Sequence, residues 1–180
     1  RLAPHRAGLT TIRPELAIAV HGGEAGWVDH ADLIAGVPAT MPPVVCALSD
    51  PFNIIYSSGT TGLPKGIVQT HRARVHWAMS NAIEMGFRDT SRALTTTALY
   101  SNGTWLMMLP VLFAGGTLVA MPAFDPAAFL AAVARERITH TFMVPSQYQM
   151  VLAEPGLDAA DLSSLQVMLC AGSPLRRDVN

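Results

Sequence analysis

The chain has 180 residues, half of them hydrophobic, and only 14% are Asp, Glu, Lys or Arg, against about 25% in a typical soluble domain. That composition excludes an intrinsically disordered chain, whose signature is low hydrophobicity with high net charge. With a formal charge of −1 and no Lys/Arg stripe, nothing is present to neutralise a phosphate backbone, so no nucleic-acid partner is expected.

The opening residues 1–6 lack the charged start, apolar run and small-residue cleavage site of a signal peptide, and a chain that begins with Arg1 rather than Met reads as a piece of something longer. An apolar piece at residues 16–20 and a turn at Gly22-Gly23 come first, followed by a short amphipathic stretch at residues 29–35. Pro38, Pro42 and Pro43 then mark an irregular link, because proline removes a donor and pushes its predecessor out of helical geometry.

Residues 52–56 read as a strand, residues 57–62 as a flexible loop and residues 66–69 as a second strand. From His71 to about Met85 the period becomes helical, with Val75, Met79, Ala82 and Ile83 on one face. Residues 93–99 read as a strand, 104–113 as a helix interrupted or started near Pro110, and 117–121 as a strand. Asp125-Pro126 opens the clearest helix, with an acidic cap, proline in the first turn and Phe129, Leu130 and Val133 along its apolar face. Residues 138–144 are strand-like, 145–152 helical and 165–170 strand-like again. This alternation predicts an α/β fold with substantial parallel pairing.

No charged side chain occurs from Ala93 to Phe124, but Thr95-Thr96-Thr97, Ser101-Asn102-Gly103, Pro110 and Gly115-Gly116 interrupt it. No run of about 20 apolar residues survives, so no transmembrane segment is expected. Cys46 and Cys170 lie outside any Cys-x-x-Cys spacing and read as two buried thiols in a reducing, cytoplasmic compartment. His71 and His76 are five apart on the expected helix, with no carboxylate or Cys at zinc spacing, so no metal site is expected there. Arg72 and Arg74 read as solvated, and Met107 and Met108 as core fillers.

The chemistry concentrates in Tyr56-Ser57-Ser58-Gly59-Thr60-Thr61-Gly62-Leu63-Pro64-Lys65-Gly66. Glycines let backbone N–H groups turn inward, the hydroxyls add donors and Lys65 adds a point charge, which together describe a polyphosphate cradle. Lys65 is the only charged residue between Asp50 and Arg72. The common phosphate loop, Gly-x-x-x-x-Gly-Lys-Ser/Thr, does not fit, because Pro64 stands five residues beyond Gly59. On composition alone, a flexible hairpin turn with a solvated Lys accounts for the segment equally well.

This segment resembles the signature loop of the adenylate-forming enzymes, a superfamily that includes acyl-CoA synthetases and the adenylation domains of peptide synthetases. Further similarity follows in order at residues 109–119, 138–145 and 161–165, and at Cys170-Ala171-Gly172-Ser173-Pro174-Leu175. The resemblance implies part of the layered N-terminal domain of an acyl-CoA synthetase. Residues 1–49 would form its peripheral segment, residues 50–180 its central nucleotide- and acyl-binding part, and the C-terminal catalytic domain would be absent.

It implies a carboxylate substrate, ATP with Mg²⁺ whose protein ligand lies outside this chain, and CoA as acceptor. Ser57, Ser58, Gly59, Thr60, Thr61, Gly62 and Lys65 would hold the β- and γ-phosphates, with Lys65, Thr60 and Thr61 acting in catalysis. Gly172, Ser173 and Pro174 would face the adenine. Tyr100, Asn102, Gly103 and Thr104 would border the acyl group, with a backbone-bonded core tyrosine as the other reading of Tyr100. The 180 residues alone are expected to be inactive and to self-associate through uncovered apolar surface. The alternatives are an amino-acid adenylation domain serving a carrier protein and a non-catalytic nucleotide-binding module.

Overall fold

The computed structural model describes residues 17–20, 25–41, 43–57 and 64–174. The chain divides into two compact units, Arg1–Val45 and Cys46–Asn180. In the first, strand β1 (Ile18–Ala19) pairs in parallel with β2 (Val28–Asp29). Helix α1 (His30–Ile34) follows, its first turn closed by the Asp29 carboxylate, which accepts from Ala31 N–H at 2.8 Å. The helix buries none of its own residues. The expected turn at Gly22-Gly23 lies outside the described residues.

The second unit opens with an antiparallel hairpin of β3 (Pro51–Ser57) and β4 (Lys65–Thr70), in register from Pro51 opposite Thr70 to Ser57 opposite Lys65. The ladder shifts between Pro51 and Asn53, and such a bulge re-aims the side chain it carries. Phe52 there meets the rings of His71 and Trp105 edge-on at 5.0 and 5.6 Å.

Helix α2 (His71–Glu84) begins where Thr70 Oγ1 accepts from Ala73 N–H at 3.2 Å. Its buried stripe is Arg74, Ala78 and Ala82, not the expected Val75, Met79, Ala82 and Ile83, of which only Ala82 is buried. Small residues let α2 approach helix α3 (Asn102–Phe113) closely, and the bulkier stripe turns outward. Helix α3 runs unbroken through Pro110. Its ring is fully buried, and tertiary packing outweighs the single helical hydrogen bond that proline removes near the helix end.

The remaining strands are β5 (Arg92–Thr95), β6 (Thr117–Ala120), β7 (His140–Met143) and β8 (Val167–Cys170), all parallel in the order β6-β5-β7-β8. Alternate residues feed opposite faces. Ala93 and Phe142 join Ala82, Met107 and Val111 on the α2/α3 side. Leu94 and Met143 join Phe129, Leu130 and Val133 of α4 (Pro126–Glu136) and Val151 of α5 (Pro145–Leu152) on the other. Covering both faces is what a parallel sheet requires. The expected cap of α4 is present, with Asp125 accepting from Ala128 N–H at 2.8 Å. Met107 fills the core, as read from its composition.

His140 is fully buried, its ring stacked on Phe87 at 3.9 Å, its Nε2 3.0 Å from Met85 O and its Nδ1 2.7 Å from Thr139 Oγ1. Neither of the two expected buried thiols is fully buried. Cys46 is exposed in the irregular link before β3, and Cys170 is half-buried on the outermost strand of the sheet.

Candidate functional site

The strand order creates a switch point. From β5 the chain crosses to β6 on one side, and from β7 it crosses to β8 on the other. The loops therefore part at the carboxyl ends of β5 and β7, where open α/β sheets bind ligands. Buried side chains brace the two loops there. Thr96 Oγ1 donates to Phe142 O at 2.7 Å, and Gln147 Nε2 donates to Thr96 O at 2.9 Å while its Oε1 accepts from Val144 N–H at 3.1 Å. Trp105 Nε1 donates to Leu99 O at 2.7 Å, holding the turn that leads into α3.

A cavity of about 400 Å³ opens beside these loops. Its apolar walls are Trp77 from α2, Leu106 from α3 and Phe142 and Val144 from the end of β7. Its edge is formed by Ser101, Asn102 and Gly103 after β5 and by Ala171 and Gly172 after β8. Gly103 lies directly on the Phe142 ring, since a Cβ there would come within 2.3 Å of Phe142 Cε1. Gly172 turns the chain with φ +102°, a conformation that L side chains avoid.

Of the residues expected at the site, Asn102, Gly103 and Gly172 meet at this cavity. Ser173 and Pro174 continue the exposed turn beyond Gly172. Thr104 is buried, its hydroxyl 2.7 Å from Thr97 Oγ1 and within 2.9 Å of the Thr97 and Ala98 carbonyls. Those contacts occupy it inside the protein and assign it a structural role in the turn. Tyr100 is 86% exposed, which corrects the reading of it as a core residue, and it is not among the residues that line the cavity. Ser58, Gly59, Thr60, Thr61 and Gly62 lie outside the described residues. Ser57 and Lys65 are the last pair of the hairpin ladder on either side of that loop, and Lys65 is exposed.

Sequence reasoning missed Arg74. It was expected to be solvated, yet it is 6% exposed. Its Nε donates to Asn53 Oδ1 on β3 at 3.0 Å, and its Nη2 donates to Asn102 Oδ1 at the cavity edge at 3.1 Å. The guanidinium lies over the rings of Trp77 and Trp105 at 5.1 and 5.0 Å. Burial pulls its pKa downward, and an arginine in this setting stays charged. The signal available in the sequence was the pair of tryptophans, three residues away on α2 and near the start of α3, since guanidinium planes stack on aromatic faces.

A parallel sheet covered on both faces, with a cavity at its switch point and a Ser/Gly/Thr-Lys loop on an adjoining hairpin, has the architecture of the N-terminal domain of adenylate-forming enzymes. The chain belongs to the AMP-binding enzyme family, matching it over residues 6–180. It is 39% identical over 157 residues to a feruloyl-CoA synthase from Amycolatopsis sp, covering 86% of this chain and 30% of that protein. It is 38% identical over 154 residues to the indoleacetate–CoA ligase of Aromatoleum aromaticum, covering 83% of this chain and 30% of the relative. The crystal structure of the anthranilate CoA ligase AuaEII with anthranoyl-AMP superimposes with a TM-score of 0.83 at 24% identity, covering 99% of this chain and 35% of that one. The chain thus spans about a third of the length of each of these three proteins. Among the described residues, no helix is long and apolar enough to cross a membrane.

Proposed function

We propose that this chain is the nucleotide- and acyl-binding part of an AMP-forming CoA ligase that activates an aromatic carboxylic acid. The observation that carries the reading is the cavity walled by Trp77, Phe142, Leu106 and Val144 at the switch point of an AMP-binding domain. Two flat rings set among aliphatic side chains suit a planar apolar acyl group, because aromatic groups stack at offset or edge-on geometries that such walls supply. The similarity to a feruloyl-CoA synthase and an indoleacetate–CoA ligase supports that reading.

In this reading, Ser57, Ser58, Gly59, Thr60, Thr61, Gly62 and Lys65 hold the β- and γ-phosphates of ATP, which enters with Mg²⁺. Gly172, Ser173 and Pro174 border the adenine. The acid lies in the cavity with its ring against Trp77 and Phe142. Its carboxylate oxygen attacks the α-phosphorus, an O–P bond forms, and the bond to pyrophosphate breaks with the electron pair leaving on pyrophosphate. A CoA thiolate then adds to the acyl carbon, and AMP departs. The residues of this chain contribute positioning and charge stabilisation, since negative charge grows on the phosphate oxygens as the pyrophosphate leaves. Gly103 packs against the Phe142 ring, which is 4% exposed, so Trp77 is the more open of the two aromatic walls.

The test is exchange of labelled pyrophosphate into ATP by the full-length protein with aryl, fatty and amino acids, followed by thioester formation with CoA. Exchange confined to aryl acids supports the reading. Exchange driven only by amino acids, with no thioester to CoA, replaces it with a carrier-protein adenylation domain. ATP binding without exchange replaces it with a binding module. The 180-residue chain by itself is expected to give no exchange.

A further inference from the structure

We infer that Arg74 is a positioning residue that ties the β3–β4 hairpin to the rim of the acyl cavity. Through it, nucleotide at the hairpin's loop and acid in the cavity strengthen each other's binding, an inference that rests on the function proposed above. Among the described residues the hairpin is a two-stranded sheet of its own. Its loop springs from Ser57, four residues beyond Asn53, which is about 13 Å along an extended strand. Asn53 Oδ1 accepts from Arg74 Nε at 3.0 Å, and the same guanidinium donates from Nη2 to Asn102 Oδ1 at 3.1 Å. Asn102 is the first residue of α3 and lies at the cavity edge. A tilt of the hairpin about its base therefore pulls on the cavity rim through one rigid planar group, which Trp77 and Trp105 flank at 5.1 and 5.0 Å.

Stability alone does not account for this side chain. Arg74 is 6% exposed and has no carboxylate partner among the described residues, an arrangement that well-packed apolar residues of similar volume commonly match or better. It stands in the first turn of α2 and bonds to the first residue of α3, so its charge meets the positive ends of both helix dipoles. A guanidinium only donates, so Asn53 must present its oxygen, and Asn53 Nδ2 is left buried without an acceptor among the described residues. Each of these costs stability, and such departures concentrate where function requires them. What the arrangement supplies in return is a single bonded path from the hairpin to the cavity.

The experiment is calorimetric titration of the full-length protein with the aryl acid that gives the fastest pyrophosphate exchange, without and with saturating α,β-methylene-ATP and Mg²⁺. The scissile bond of that analogue cannot break. In wild type the analogue is expected to tighten the acid about tenfold, and the acid to tighten the analogue by the same factor, since coupling between two sites is reciprocal. The readout is this coupling factor, not either affinity. In Arg74→Met it falls to near one. Asn53→Ala, which severs only the hairpin end, lowers it as well and decides the matter if Arg74→Met does not fold. Asn53→Asp keeps the acceptor, supplies a carboxylate to Arg74 and removes the unpaired amide, so it retains the coupling and raises the thermal midpoint. A merely structural role would lower the midpoint in Arg74→Met and Asn53→Ala and leave the coupling factor unchanged, which overturns the inference. So does a wild type whose two ligands bind independently, and in both cases the proposed function stands. A protein that exchanges with no aryl acid removes the proposed function and this inference with it.

Discussion

Leu94 and Phe142 in the parallel sheet are 0% and 4% exposed, whereas Ile54 and Tyr56 in the β3–β4 hairpin are 56% and 70% exposed. Both regions read as apolar strands, and both form them. The sheet strands sit between two helical layers and gain stability from each face. The hairpin is held at its base, by Phe52 against His71 and Trp105, by Asn53 to Arg74, and by hydrogen bonds from His71 N–H to Asp50 O and Arg72 N–H to Leu48 O. Its far end, where Ser57 faces Lys65, carries the loop. On the proposed function, stability and chemistry are therefore lodged in different strands, and each can be removed without the other.

The largest effect separating them is on stability. Phe129 is 1% exposed beneath the sheet, and Phe129→Ala is expected to cost about 3–5 kcal/mol from lost burial and the cavity left behind. Ile54→Ala on the hairpin should change stability by only about 0.5 kcal/mol. Chemical denaturation of both variants measures the contrast, and comparable losses would show that the hairpin is part of the core.

The next effect runs the other way. Lys65→Ala should lower pyrophosphate exchange by about 100-fold, the usual size for one removed charge-stabilising donor, while the thermal midpoint stays within a degree or two of wild type. Loss of both together would mean that Lys65 supports the hairpin rather than the nucleotide.

The third effect is a pH dependence confined to the sheet. Burial holds the His140 pKa below its ordinary value, partly offset by the hydrogen bond to Met85 O, which favours the protonated ring. The folded form thus prefers neutral imidazole. Its contribution to stability is complete above the unfolded value of about 6.5 and is lost as pH falls below it, since the unfolded state takes up the proton first. Melting curves from pH 8 to pH 5 should show a steeper acid decline in wild type than in His140→Gln. Exchange activity of the folded protein should show no matching step, because His140 sits at the opposite end of β7 from the cavity.

The same contrast governs what could be read in advance. The order of strands and helices was legible because Gly115-Gly116, Asp125-Pro126 and Pro145 punctuate it and because buried parallel strands are short apolar runs. Asn102, Gly103 and Gly172, which meet at the cavity, were legible as members of an ordered set of residue types. The outward turn of Val75, Met79 and Ile83 was not, because periodicity ranks bulk, while helix α2 is seated by the small residues Ala78 and Ala82. Trp77 and Phe142 face one cavity from elements 65 residues apart, a proximity that only the crossover connections create. Arg74 was hidden because a charge on a helix is ordinarily solvated, and its acceptors lie 21 and 28 residues away in sequence.

The smallest effect tests the joint between the two regions. Thr70 ends the hairpin and caps α2, and Asp125 caps α4, which lies wholly on the sheet side. Replacing either cap by alanine should cost about 1 kcal/mol, because one helical N–H loses its acceptor in each case. The Asp125 bond is shorter, 2.8 against 3.2 Å, and its acceptor is a carboxylate beside a helix N-terminus, so Asp125→Ala should be the more costly of the two. Activity should rank them oppositely. Thr70 fixes the angle at which β4 runs into the helix that bears Arg74 and Trp77, so Thr70→Ala should raise KM for the acid, whereas Asp125→Ala should leave KM unchanged. If the two variants lowered stability and left KM equally untouched, the hairpin would be an independent loop carrier, and its connection to the cavity through α2 would have no functional weight.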